Sequence, residues 1–173
     1  MTLEPEAAAP PVIVEIAALG PGENHYTITV GPGACADIAA RLGEPGLERL
    51  QGDFTLTPFK GGLTLDLRII ANANRLCVVS LEPMTEEIDE RYTIRFERGF
   101  SDDIAATEAQ DEAAHEPLET DALDLTEILI QHLSLSLDPH PRKPGATSLT
   151  ETYRDAAKLS PFAVLDGLVD DGA

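Results

Sequence analysis

Seven residues constrain this chain more than any others: Leu63, Leu65, Leu67 and Ile69 alternate with Thr64, Asp66 and Arg68. A period of two puts the four aliphatic side chains on one face of a strand and the polar ones on the other. A slip of one residue would turn every leucine to water, so register here is strongly specified. The chain must therefore build a sheet with one dry face and one wet face. Lys60-Gly61-Gly62 precedes the run as a hairpin loop, and before that Leu50, Phe54 and Leu56 share a parity up to Pro58. After it, Asn72-Ala73-Asn74 reads as a turn, Leu76 to Leu81 as a further strand ending before Pro83, and Tyr92, Ile94 and Phe96 as the last alternating run. Upstream, Val12 to Ile16 and Tyr26 to Val30 read as two more strands. Loops this short join antiparallel neighbours and cannot hold parallel crossovers.

Two helices belong with the sheet. Ala34 to Leu42 places Cys35, Ile38, Ala39 and Leu42 on one face, with Gly43 suited to a left-handed C-terminal position. The second lies within Asp121 to Gly145. Asp124 suits the N-cap and Glu127, three residues on, suits the reciprocal capping carboxylate. Leu125, Ile128, Leu129, His132 and Leu133 follow at helical spacing, and the helix is expected to reach about Leu135. Asp138-Pro139-His140-Pro141-Arg142-Lys143-Pro144-Gly145 cannot continue it, because three prolines remove donors and constrain their predecessors. The fold class expected is α+β: an antiparallel β-meander, or a partly closed barrel, with a short N-terminal-half helix and a C-terminal helix packed on it.

The expected organisation is a disordered tail over 1–11, a β-rich domain with one helix over 12–98, an acidic linker over 99–120, and a C-terminal helical segment over 121–168 packed on the same domain. The linker carries Asp102, Asp103, Glu108, Asp111, Glu112, Glu116 and Glu119 with no Lys or Arg. The whole chain has 31 Asp and Glu against 12 Lys and Arg, a formal charge of -19. That charge disfavours non-specific binding to nucleic acid or anionic membrane and favours a basic partner. No apolar run approaches a membrane span and the N-terminus lacks the pattern of a signal peptide, so a cytoplasmic location is expected. With no Trp and 5% aromatics, the core should be aliphatic.

Few motifs carry chemistry. Gly31-Pro32-Gly33-Ala34-Cys35-Ala36 follows a strand and opens a helix, as a dinucleotide loop does, with Asp53 at a plausible distance for a ribose. Pro32 removes an amide that would hold phosphate, and the following strands are not repeated βαβ units. A plain strand-to-helix turn is the better reading; a small nucleotide-binding enzyme using Gly31 to Ala36 is the alternative. Cys35 and Cys77 lie in apolar segments without CxxC spacing and read as small buried hydrophobes. No HExxH or GxSxG pattern is present. His132 reads as a helix-edge imidazole. Neither a catalytic residue, a metal ligand nor a cofactor is assigned.

Three segments in order resemble one family. Cys77-Val78-Val79-Ser80-Leu81-Glu82-Pro83 resembles the "CxRCLEP" strand of the YceD family. Asp124-Leu125 through Ile128 and Ile130 to Leu137-Asp138-Pro139 resembles its "IDL…E.ILLALP..P" helix and exit, and Ser160-Pro161-Phe162-Ala163-Val164-Leu165 is similar to its terminal "NPFAVL" box. The resemblance covers about Leu50 to Leu168. It implies a non-enzymatic bacterial or plastid factor supporting accumulation or processing of large-subunit ribosomal RNA. The family's second CxxC cysteine is Ser80 here, and the cysteines with which some members could build a zinc site after the helix are missing. The partner implied by role and charge together is a basic ribosomal protein or an RNA-processing factor. Candidate contacts are Leu129, Leu133, Arg142, Lys143, Pro161, Phe162 and Leu165.

Overall fold

The structure, a computed structural model, describes residues 9–99 and 114–146. The described chain divides into two compact units, one of residues 9–75, 85–99 and 114–139, the other of 76–84 and 140–146.

The larger unit is α+β. Strands β1 (Ile13–Glu15), β2 (Asn24–Thr29), β3 (Gly46–Phe59), β4 (Gly62–Leu76), β5 (Pro83–Glu97), β6 (Ala114–Pro117) and β7 (Ala122–Asp124) alternate with helices α1 (Pro32–Leu42) and α2 (Leu125–Ser136). Five strands form an open sheet in the order β2-β3-β4-β5-β6, and β1 pairs with β7 in a small second sheet. The main sheet does not close into a barrel. β2, β3 and β4 are successive antiparallel neighbours. The cross-strand contacts Asn74–Thr85, Arg68–Asp89 and Asp66–Thr93 run in opposite senses along β4 and β5, as antiparallel strands require.

The period-two run behaves as its pattern demands. Leu63, Leu65, Leu67 and Ile69 are buried with Leu50, Phe54 and Leu56 from β3. The core is aliphatic apart from a few Phe side chains. Gly62 has a steric reason: a Cβ there would lie 2.0 Å from the Phe96 carbonyl oxygen.

Three expectations change. Asn72-Ala73-Asn74 does not turn the chain; Ala71 and Ala73 keep the buried parity of β4, and Asn72 and Asn74 stand opposite Arg49 and Gly46. The strand expected over Leu76 to Leu81 is instead largely a turn, and β5 begins at Pro83, nine residues before Tyr92. The first half of β5 is acidic, with Ile88 its one buried hydrophobe, so it carries little apolar alternation. Inside the expected linker, Ala114 to Pro117 forms β6, parallel to β5, with Ile94 opposite Ala114. The linker positions 100–113 lie outside the described residues.

Both helices start and stop where their local chemistry directs. Pro32 occupies the first turn of α1, and Gly43 closes it at φ 74, its N–H reaching the carbonyls of Ala39 and Ala40. Asp124 caps α2, accepting from the N–H groups of Thr126 at 2.9 Å and Glu127 at 3.2 Å. Glu127 does not reach back to complete a capping box; Arg41 of α1 holds its carboxylate in a two-pronged pair at 2.7 and 2.5 Å. Leu129 of α2 lies directly on Gly52 of β3: a Cβ there would meet its two methyls at 2.8 and 3.1 Å. From the expected N-terminal tail, Pro10 accepts a hydrogen bond from Thr126 Oγ1 at 3.1 Å.

Candidate functional site

The smaller unit gathers the most unusual chemistry. After Leu76 the chain folds back on itself: the Leu81 N–H donates to the Cys77 carbonyl at 2.8 Å, and the Cys77 N–H donates to the Glu82 carbonyl at 2.9 Å. Leu81 closes this loop with φ 58, a left-handed conformation that costs an L-residue about 1–2 kcal/mol. The Cys77 sulfur is buried and receives the N–H groups of Ser80 and Lys143, each at 3.4 Å. Val78 donates to the Pro141 carbonyl at 2.9 Å, and the Lys143 ammonium lies 2.9 Å from the Glu82 carboxylate. One sulfur and one ion pair thus clasp 76–84 to 140–146.

These donors act on the thiol. The Ser80 side chain, followed by the backbone N–H groups of Lys143 and Ser80, lowers the Cys77 pKa from its ordinary 9.0 to about 6. Cys77 is thus the free, buried cysteine its sequence context implies, with hydrogen bonds to its sulfur that make the thiol more acidic than an ordinary one. Cys35 keeps the expected character, its pKa raised chiefly by burial. Lys143 in turn holds the Glu82 carboxyl below its ordinary range.

The zinc that cysteine-bearing members of the resembling family could hold does not fit these residues. Within 76–84 and 140–146 the donors of the right kind are Cys77, His140 and Glu82, and Glu82 is engaged by Lys143. Ser80 replaces the second thiolate, and its hydroxyl accepts from the Glu82 N–H at 3.4 Å. Among the described residues, no group of three or more His, Cys, Asp or Glu is placed to hold a metal. Four-coordinate thiolate and imidazole ligation is what a structural zinc needs.

In the larger unit, buried Arg75 organises the end of β4. Its guanidinium reaches Glu86 at 2.5 Å and donates to the Asp138 carbonyl at 2.9 Å. Its Nε lies 2.7 Å from Glu44, close enough for ion pairing although no N–H points along that line. Glu86 also accepts from the Asp138 N–H at 2.9 Å, which ties the exit of α2 to the sheet. His132 is not at the edge of its helix but buried, its ring 4.7 Å from that of Tyr92, and burial lowers its pKa.

The candidate contacts named from sequence fall in different places. Leu129 and Leu133 are fully buried against the sheet and make core contacts. Arg142 is exposed, and Lys143 belongs to the Cys77 clasp. Pro161, Phe162 and Leu165 lie outside the described residues. The Gly31 turn borders a cavity of about 230 Å³ lined by Ala9, Pro10, Val12, Thr27–Val30, Gly31 and Ala34, with no charged side chain for a phosphate. Sequence reasoning missed the Cys77 clasp, since its halves are 66 residues apart. A local signal existed: Leu81-Glu82-Pro83 after two valines stops a strand sharply. It also missed the exposure of Leu76, Val78 and Leu81.

Comparison with known proteins adds one match. No curated protein and no solved structure matches the chain. A family model described as large ribosomal RNA subunit accumulation protein YceD matches residues 65–168, from near the start of β4 through the Cys77 loop and α2 to just beyond the Pro161–Leu165 box. With that match spanning more than half of its length, the chain belongs to the YceD family.

Proposed function

We propose that this protein supports large-subunit ribosomal RNA as a non-enzymatic binding factor, engaging a basic ribosomal or RNA-processing protein rather than naked RNA. Family membership supports the role in ribosomal RNA accumulation. The distribution of its few cations supports the choice of partner. Of 12 Lys and Arg residues, at least six are held by carboxylates: Arg41 by Glu127, Arg68 by Asp89, Arg75 by Glu44 and Glu86, Arg95 by Glu97, Arg98 by Asp121 and Lys143 by Glu82. Among the described residues, cations paired internally are less available to track a phosphate backbone, and the net charge of -19 makes the field acidic. Such a field raises the encounter rate with a basic surface.

The test is the ratio of mature large-subunit to small-subunit ribosomal RNA in cells depleted of the protein, with the intact gene restored as control. The ratio should fall and recover with the intact chain. An unchanged ratio across several growth conditions would remove the functional reading.

A further inference from the structure

A basic partner needs a place to bind, and on that premise we propose that the open edge of β5, from Thr85 to Arg91, takes an extended basic segment of it as an added strand. β5 runs from Pro83 to Glu97, but β6 pairs with it only over Ile94 to Glu97. Before Ile94 no described strand lies on that side, because the sheet ends in the order β4-β5-β6. The hydrogen bonds fix which backbone groups are left over. The Arg98 N–H donates to the Gly61 carbonyl on the β4 side at 2.9 Å, and the Glu97 carbonyl accepts from the Leu118 N–H on the β6 side at 2.8 Å. Even-numbered residues of β5 therefore bond toward β4 and odd-numbered ones face away from it. The side-chain contacts Thr93–Asp66 and Thr85–Asn74 keep the register of Arg98–Gly61, so no bulge reverses this order. Thr85, Glu87, Asp89 and Arg91 thus turn their N–H and C=O groups outward, and all four are exposed. An extended edge of this length offers about 20 Å of unpaired backbone to an incoming strand.

Charge selects the occupant. Glu86, Glu87, Asp89 and Glu90 lie in this stretch against one base, Arg91. Arg75 holds Glu86 and Arg68 holds Asp89, while Glu87 and Glu90 have no cation paired with them among the described residues. On the sheet beside this edge a hollow of about 460 Å³ opens between Arg49, Ile70, Asn72, Glu87, Ile88 and Asp89. Ile70 offers an apolar surface for the alkyl stem of a lysine on the added strand, and Glu87 a carboxylate for its ammonium. Like charges on adjacent strands repel, so the edge is guarded against a second copy of itself. The same repulsion weighs against the chain's own residues 100–113 as occupant, since they carry Asp102, Asp103, Glu108, Asp111 and Glu112 with no Lys or Arg. A nucleic-acid phosphate backbone meets it too. The opposite edge of the sheet, β2, has no Asp or Glu between Asn24 and Thr29 and gives a cationic strand no counter-charge.

A synthetic peptide alternating lysine with valine, titrated into the full chain by isothermal calorimetry, tests this. It should bind, and the same peptide with N-methylated backbone amides, equal in charge, should bind about tenfold more weakly because it cannot complete a ladder. Glu87→Pro removes an outward N–H and no bond to β4, so thermal unfolding should shift little while peptide affinity falls about tenfold. Glu87→Gln keeps that N–H; it should lose less affinity than the proline variant and flatten the salt dependence. Absence of binding would overturn the proposal. Equal binding of the two peptides would replace the added strand with charge alone, and equal binding by Glu87→Pro would remove the site. Polyuridine that binds and displaces the peptide would overturn the choice of a protein partner. Depleted cells separate this edge from the ribosomal role. If the intact gene and the Glu87→Pro gene restore the ribosomal RNA ratio equally, the edge fails and the role stands. If the ratio never falls, the role fails and the peptide titration alone decides the edge.

Discussion

The lowered pKa of Cys77 couples folding to pH. In the folded chain its pKa is about 6, against 9.0 for an unperturbed thiol. Between those values the unfolded chain still holds a proton that the folded chain has released, so raising the pH favours folding. The contribution is complete above about pH 9 and is lost as pH falls through about 6. Burial of His132 produces a loss in the same direction at lower pH, because the unfolded chain takes up a proton the buried ring resists. Comparing the intact chain with Cys77→Ala in the same buffers cancels that second effect. In urea unfolding at pH 6, 7.5 and 9, the stability gap between the two should widen with pH. A gap of constant size would mean that the sulfur stays protonated and acts through packing alone.

At the scale of elements, one close contact that joins α2 to the sheet is Leu129 on Gly52. Leu129 is fully buried, so Leu129→Ala should cost about 2–5 kcal/mol. Gly52→Ala puts a methyl within 2.8 Å of a Leu129 methyl and 2.9 Å of the Phe54 ring, an overpacking that should cost about 1–3 kcal/mol. The two changes are complementary, because the smaller residue 129 leaves room for the new methyl. The double variant should therefore be more stable than the sum of the single losses, a coupling that chemical denaturation of all four proteins measures. Strict additivity would show that the helix already shifts freely on the strand.

Legibility in the sequence followed the same boundary between local and distant causes. The β3–β4 hairpin, α1 with Gly43 at its end, and α2 with Asp124 at its start were readable because each rests on periodicity or a cap within a few residues. Asn72 and Asn74 suggested a turn because asparagine prefers turns, but the buried alanines between them keep the strand going. The acidic first half of β5 and the short parallel β6 offer almost no apolar alternation; pairing with neighbours holds them. The Cys77 clasp was illegible for the same reason, since Lys143 reaches the sulfur only in three dimensions. The family motifs pointed to this loop but not to the hydrogen bonds its sulfur receives.

For the whole molecule the governing quantity is the charge of -19. Binding to a basic partner should weaken steeply with salt, because exposed charges more than a Debye length of about 8 Å apart are screened at physiological ionic strength. Replacing Glu108, Asp111 and Glu112 with their amides should slow association more than it speeds release, as surface charge acts mainly on encounter. Surface plasmon resonance at several ionic strengths separates the two rates. Salt-independent binding, or a loss confined to the dissociation rate, would replace electrostatic steering with short-range contact.

The small sheet of β1 and β7 sets a clock on synthesis. Val14 pairs with Leu123, so one of the first strands made has to wait for one of the last. A ribosome adding about 5–20 residues per second takes roughly 5–20 s to bridge that gap. During that interval the β3–β4 hairpin already exists as nascent chain while the helix that covers Gly52 does not. The part of the sheet's dry face that α2 covers, Gly52 included, is therefore open to water, and to chaperones, until α2 has been made.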